Sequence, residues 1–225
     1  MSYNYTQYIT NLANELMVST TDVGFSNYLP IIIDEAEQRI YREVNLLSTT
    51  VRDSSQNLTA NSRTFNLPSS LGRFVTVLGV NVITPVGATP TTGTRNTLQP
   101  VWRSRMDFAY TIEMPTGASV PQRYAMVSDQ QIIVGPPPDQ AYNVEIVGVI
   151  RPPALSVSNT TTYLTQFLPD LFFEASMVSG AGYLQNFGAQ SDNPQMAQSW
   201  ESQYQLHLQS AVAEEMRKRY NRAAP

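Results

Sequence analysis

The hydrophobic period of this chain changes twice. Near the N-terminus, Tyr5, Ile9, Leu12 and Leu16 recur at helical spacing, and Ile33, Ala36, Ile40, Val44 and Leu47 repeat it. From Ser48 to about Ser158 that spacing stops, and Gly, Pro, Thr and β-branched residues take over. It returns in the last third with Met196, Trp200, Tyr204, Leu208, Ala211, Val212 and Met216. A period of 3.6 buries one face of a helix and a period of 2 one face of a sheet. Blocks of both in one chain predict an α+β protein, a helical bundle from the N- and C-terminal helices with an inserted antiparallel β subdomain. The expected divisions are 1–48, 49–158 and 159–225.

The spacing predicts helices over about 4–18, 27–47, 168–187 and 193–220. Pro30 suits the first turn of the second, and Pro169 opens the third with Asp170 near its positive end. Glu35 and Arg39 stand four apart in the favourable order on the expected wet face. The last helix is expected to be capped by Asp192 or Asn193, with Pro194 following. Between the helices, Thr64–Leu67, Arg73–Ile83, Leu98–Trp102 and the alternating Tyr142–Ile150 read as strands, and Ser104–Tyr110 as a short helix. Gln122–Ser128 and Gln131–Val134 flank a tight hairpin at Ser128-Asp129-Gln130. Five or six strands are expected, in a small sheet or sandwich.

The third helix is dense in small residues: Ala175, Ser176, Ser179, Gly180, Ala181 and Gly182. Glycine costs about 1 kcal/mol in a helix relative to Ala. Two are tolerated where another helix approaches closely, which makes Ser176, Ser179, Gly180 and Gly182 candidate close-packing residues. A kink near Gly180 is the alternative.

Charged residues are only 14% of the 225, so the surface must be covered by Ser, Thr, Asn, Gln and Tyr. That suits a surface buried in an assembly, or simply an uncharged soluble one. The net charge of −4 supplies no global attraction for nucleic acid. Thirteen of fourteen cations are Arg, with Lys218 the only Lys, a bias found at protein interfaces. Met1–Tyr5 offers neither a basic leader nor an apolar core, so no signal peptide is expected. No apolar run approaches the roughly 20 residues of a membrane span.

No catalytic pattern emerges, and the chain is not expected to be an enzyme. There is no cysteine, and the lone His207 cannot build a His-based metal site. Gly180-Ala181-Gly182 lacks the Lys and the strand-to-helix setting of a phosphate loop. No Gly-x-Ser-x-Gly elbow occurs. Glu214-Glu215 and Asp34-Glu35 read as solvated helix faces. No cofactor or metal is expected.

The order of the pieces is informative. A helix pair and a β insert precede Tyr124, Ile132-Ile133-Val134-Gly135-Pro136-Pro137-Pro138-Asp139 and the strand ending Arg151-Pro152-Pro153-Ala154-Leu155. Then come Tyr163-Leu164, Pro169-Asp170-Leu171, the small-residue helix and Trp200-Glu201 with Tyr204. This layout resembles the head-to-tail adaptor, or head-completion, proteins of tailed bacteriophages, of the podovirus tail-tubular type. The resemblance implies a virion protein at the head–tail junction, assembled in the host cytoplasm. It implies a ring of about twelve copies between the portal and the tail nozzle or tube. Genomic DNA would pass through its channel without sequence-specific binding, and no membrane would be involved. The C-terminal segment would reach the portal, with Arg217, Lys218, Arg219, Tyr220 and Arg222 as its contact residues. Complementing the helix dipole would by itself account for Arg217–Arg219, whereas Arg222 lies beyond the expected helix end. Two other readings compete: a virion receptor- or carbohydrate-binding β module, given the Tyr and Trp residues, and a nucleic-acid binder using the Arg-rich tail.

Overall fold

The computed structural model describes residues 2–110, 117–185 and 194–220, apart from the side chains of 183–185 and 194–197. Among these residues are six α-helices and eight strands, the strands in two four-stranded sheets, and the protein is α+β. They fall into two units: Met1–Ser48 with Ala154–Pro225, and Thr49–Pro153.

Helix α1 (Tyr5–Glu15) begins at a reciprocal cap. Asn4 Oδ1 accepts the Gln7 N–H at 2.9 Å, and Gln7 Oε1 accepts the Asn4 N–H at 3.1 Å. It buries Tyr8, Leu12, Ala13 and Leu16, while Tyr5 and Ile9 only flank that line. Helix α2 (Val23–Glu43) starts earlier than the sequence suggests, because Asp22 caps it by accepting the Phe25 N–H at 2.7 Å. Pro30 therefore lies inside the helix rather than in its first turn. An interior proline removes one N–H and crowds the carbonyl four residues back, at roughly 3 kcal/mol. Here Pro30 and Ser26 are both exposed, so water can serve the freed carbonyl. Burial of Phe25, Leu29, Ile32, Ile33, Ala36 and Ile40 holds the helix on both sides of the break. The helix stops at Glu43, not Leu47: Val44 is extended, and Val44 and Leu46 continue the buried run outside helical geometry.

The Ser- and Thr-rich stretch ahead of the third expected helix leads into a one-turn helix, α4 (Tyr163–Phe167), nucleated by a Thr162/Thr165 capping box. Helix α5 (Pro169–Gln185) follows and runs through Gly180 without interruption. Apolar on most sides, it packs against α1, α2, α4 and α6 (Pro194–Tyr220). The Tyr8 ring stacks on Phe172 at 4.6 Å, and its hydroxyl meets the Phe172 carbonyl at 3.0 Å and Ser176 Oγ at 2.6 Å. Burial pushes the Tyr8 hydroxyl well above the usual tyrosine range, so it stays a neutral donor. Leu155, just past the β segment, belongs to this helical core.

In the other unit, β1 (Thr50–Asn57), β3 (Arg73–Thr84), β4 (Thr94–Thr97) and β8 (Asn143–Arg151) form an antiparallel sheet in the order β1-β8-β3-β4. The second sheet has the order β2-β7-β6-β5, from β2 (Thr64–Asn66), β5 (Gln99–Pro100), β6 (Arg123–Ser128) and β7 (Gln131–Gly135). Phe65, Val80, Val82, Leu98, Ile132, Val134, Val144 and Ile146 lie in one apolar core. The β6–β7 hairpin and the short helix α3 (Arg103–Ala109) fall where the sequence puts them. The subdomain is not wholly antiparallel, because β5 pairs parallel with β6. Leu98 bonds to Val80 in one sheet and Gln99 to Gln122 in the other, so the chain changes sheets between neighbouring residues. The connection through α3 is long enough to bring it back in the same direction.

Candidate interaction site at the C-terminal helix

The inner face of α6 is the line Tyr204, Leu208, Ala211, Glu215 and Lys218, spaced alternately four and three apart. It is not the line ending at Met216, which is 55% exposed. Just before that line, Arg39 of α2 reaches Glu201 through both terminal nitrogens, at 2.8 and 2.6 Å. Its Nε donates to Glu43 at 3.3 Å, and its guanidinium lies 4.1 Å from the centre of the Tyr204 ring. The Tyr204 hydroxyl donates to Glu43 at 2.6 Å. Hydrogen bonds from Arg39 hold the Glu201 carboxyl below the usual carboxylate range, and burial, followed by the Glu43 bond, raises the Tyr204 hydroxyl. Arg39 thus pairs across helices and not with Glu35. One turn on, the lone His207 meets the buried Glu174 of α5 through Nδ1 at 2.8 Å.

Glu215 is buried, not solvated. It accepts the backbone N–H of Leu47 at 2.9 Å, Lys218 Nζ at 2.8 Å and the Tyr163 hydroxyl at 3.2 Å. Burial alone would raise its pKa, but these donors outweigh that and lower it. Lys218 also reaches Glu214 at 2.7 Å and the Tyr163 oxygen at 2.9 Å. Arg219 Nη2 donates to both the carbonyl and Oδ1 of Asn45, at 2.9 and 2.7 Å. The two side chains therefore clamp the end of α6 to Tyr163 and to the corner after α2.

That leaves Arg217, exposed and without a hydrogen bond or ion pair among the described residues, and Tyr220, 75% exposed. Beside them lies a groove of about 480 Å³, walled by Val44, Val212, Met216 and Tyr220 and edged by Glu43 and Arg219. Arg222 and the expected helix caps Asp192 and Asn193 lie outside the described residues. Of the five candidate contact residues, two are engaged within the subunit and two project outward.

The small residues of α5 divide in the same way. A Cβ at Gly180 would lie 3.0 Å from Leu16 Cδ1, so Gly180 seats the end of α1. Ser176 bonds the hydroxyl of Tyr8 in α1. Ser179 is half-buried, and a Cβ at Gly182 would meet nothing within 4 Å.

In the β unit, Trp102 at the N-cap of α3 and Phe108 within it are 84% and 85% exposed. Elsewhere in that unit an open cleft of about 750 Å³ is lined largely by uncharged residues such as Thr97, Gln99, Gln122 and Tyr142, and neither Trp102 nor Phe108 lines it. Among the described residues no group of His, Asp and Glu could hold a metal ion, and no helix is long and apolar enough to cross a membrane.

Glu37, Glu174 and Glu215 are the buried carboxylates of the helical unit, among the described residues, that sequence reasoning missed. Glu37 falls between Ile33 and Ile40, and Glu215 follows Ala211 by four, so both occupy core positions of an apolar stripe. That position was the available signal. A family model described as SU10 adaptor protein matches residues 3–225, and no curated protein matches the chain.

Proposed function

Because the chain belongs to the SU10 adaptor protein family, a phage head-to-tail adaptor family, we propose that it forms a ring at the junction of head and tail. The observation that carries this reading is the family match, which takes in 223 of 225 residues, from 3 to 225, and so includes both units. The adaptor is a structural component of the virion. The ring has about twelve copies, a closed cyclic assembly. It sits between the portal protein and the tail nozzle or tube, and genomic DNA passes through its channel without being read. The helical unit builds the ring body. Arg217 and Tyr220, with Arg222 beyond them, contact the portal.

The low charge supports a surface made to be covered, since interface cores are depleted of charge. Lys218 and Arg219 fix the end of α6 so that Arg217 and Tyr220 project from a rigid element, which lowers the ordering cost of docking. Particles assembled without this chain are expected to be heads with a portal and no tail. Adding the purified protein should place a ring under the portal in electron micrographs and restore tail attachment. Tailed particles forming in its absence would overturn the reading.

A further inference from the structure

The two sheets of the β unit share a gap that the chain fills only partway. Residues 94–101 run between β3 and β6. Their first part, β4, pairs with residues 81–84 of β3, and Leu98 donates to the Val80 carbonyl. Their last part, β5, pairs with Arg123 and Tyr124 of β6, and Val101 donates to the Tyr124 carbonyl. The chain then leaves the gap at Trp102, the cap of α3. Beyond that point β3 and β6 run on. Among the described residues, no strand pairs with residues 73–79 of β3 on the side away from β8, or with residues 125–128 of β6 on the side away from β7.

The two open edges face each other. Gln130 Nε2 donates to the Phe74 carbonyl at 2.8 Å, and Arg73 meets Asp129 at 3.8 Å. Short of these contacts lies a groove of about 300 Å³, walled by Phe74, Val75 and Val77 on one side and by Met126 and Val127 on the other. An open edge carries N–H and C=O groups ready to pair, and folded proteins ordinarily guard it with Lys, Pro or a bulge. β3 is bulged twice along this stretch, between Phe74 and Thr76 and between Val77 and Gly79. The extra residues are Val75 and Leu78, turned outward at 59% and 58% exposure. Met126 on the facing strand is 42% exposed. The edge thus presents apolar side chains where a guarded one presents charge.

We infer that this groove receives an extended segment of another protein, which continues the course of β4 and β5 between β3 and β6. Strand addition takes affinity from main-chain hydrogen bonds and selectivity from the side chains at alternate positions. Residues 75–79 set the length, about five residues or roughly 17 Å. The segment is apolar at alternate positions, to cover Val75, Leu78 and Met126. A folded second copy is a poor source for it. A strand lying between two edges needs both of its own edges free, whereas every strand among the described residues is already paired in a sheet. The inference rests on the adaptor reading for the source of the segment, a neighbouring virion protein, and names where that protein docks.

The chain has no cysteine, so Leu78→Cys and Met126→Cys can each carry a benzophenone maleimide without background labelling. Each labelled chain is added to particles assembled without it, and the recovered particles are illuminated. Both positions should cross-link to the same second protein, through one short apolar segment identified by mass spectrometry. Amide hydrogen exchange over residues 75–79 should be at least tenfold slower in the particles than in the free chain. Val75→Lys with Leu78→Lys, placed in the Met126→Cys chain, should cut the cross-link at least tenfold while circular dichroism matches the wild type. Cross-links between copies of this chain would give the groove to a second copy and overturn the inference. Incorporated chains that give no cross-link would overturn it and leave the adaptor reading standing. A cross-link without slowed exchange would mean docking by side chains alone, and would overturn strand addition. A chain that enters no particle would end both readings.

Discussion

Leu155 donates its backbone N–H to Oε1 of Glu37 at 3.0 Å, and the carboxyl lies buried in the helical core. Glu215 does the same for Leu47 at 2.9 Å. Leu47 precedes the point where the chain leaves the helical unit, and Leu155 follows the point where it returns. A buried backbone N–H without a partner costs about 1–3 kcal/mol. Each crossover is thus anchored by one carboxylate, from α2 and from α6.

The Glu37 anchor carries a pH dependence. Burial raises its pKa to about 7; the Leu155 N–H opposes the shift and the charge of Asp34 adds to it. The folded state therefore holds this proton more tightly than the unfolded chain does. The stability from this group is complete below the unfolded pKa of about 4.3 and is lost as pH rises through about 7. The full swing is on the order of 4 kcal/mol. Glu37→Gln keeps an acceptor for Leu155 and removes the titration. In urea unfolding at pH 5 and pH 8, the variant should lose less stability across that range than the wild type, by about 2 kcal/mol. Parallel losses in the two proteins would contradict this account.

Glu215 responds in the opposite sense. Its pKa is lowered, so its contribution is present above the unfolded pKa and is lost as pH falls through the lower folded value. Glu215→Ala would leave the Leu47 N–H without its acceptor and Lys218 with one carboxylate fewer. The expected loss at pH 7 is about 2–4 kcal/mol, measured by denaturant unfolding. A loss under about 0.5 kcal/mol, the scale of an ordinary surface substitution, would mean that the crossover is held elsewhere.

The two α5 glycines should separate cleanly. Gly180→Leu must displace Leu16, at about 1–3 kcal/mol if α1 repacks poorly. Gly182→Ala enters open space and gains helix propensity, up to about 1 kcal/mol. Thermal melts of the two variants should move in opposite directions. A stabilised Gly180→Leu would remove the argument for a close approach.

The architecture was legible because burial imposes a period. Both end blocks, β3, the β6–β7 hairpin and β8 lie where apolar residues recur at 3.6 or 2. β1 was invisible because TVRDSSQN has no apolar run; it is a strand through its pairing with β8, and its buried Asp53 serves Ser55 N–H and Ser70 Oγ. Tyr8 was not in the expected line of Tyr5, Ile9, Leu12 and Leu16, and its place in the core comes from α5, which offers its hydroxyl two partners there. At the end of α6 the sequence marked a basic cluster but not its division of labour. The acceptors that separate Lys218 and Arg219 from Arg217 come from Asn45, Tyr163 and Glu215, and two of these are more than 50 residues away.

That division gives the sharpest test of the portal contact. If the basic cluster acted only by complementing the helix dipole, Arg217, Lys218 and Arg219 would be nearly equivalent, each contributing about 0.3–1 kcal/mol to stability. The geometry makes them unequal. Lys218→Ala removes the cation shared by Glu214, Glu215 and Tyr163, so it should lower stability by about 1–2 kcal/mol. Arg217→Ala removes a side chain with no partner among the described residues, so its stability should change by less than about 0.5 kcal/mol. Docking on portal-bearing heads should follow the reverse order. Arg217→Ala should weaken it by about tenfold, and Tyr220→Ala by at least as much, because an exposed Arg and Tyr are the side chains that most often dominate an interface. Lys218→Ala at a temperature where it remains folded should dock more nearly like the wild type. Sedimentation of labelled protein with the heads, beside unfolding curves for the same variants, separates the two roles. Equal docking by Arg217→Ala and the wild type would move the portal contact away from the end of α6.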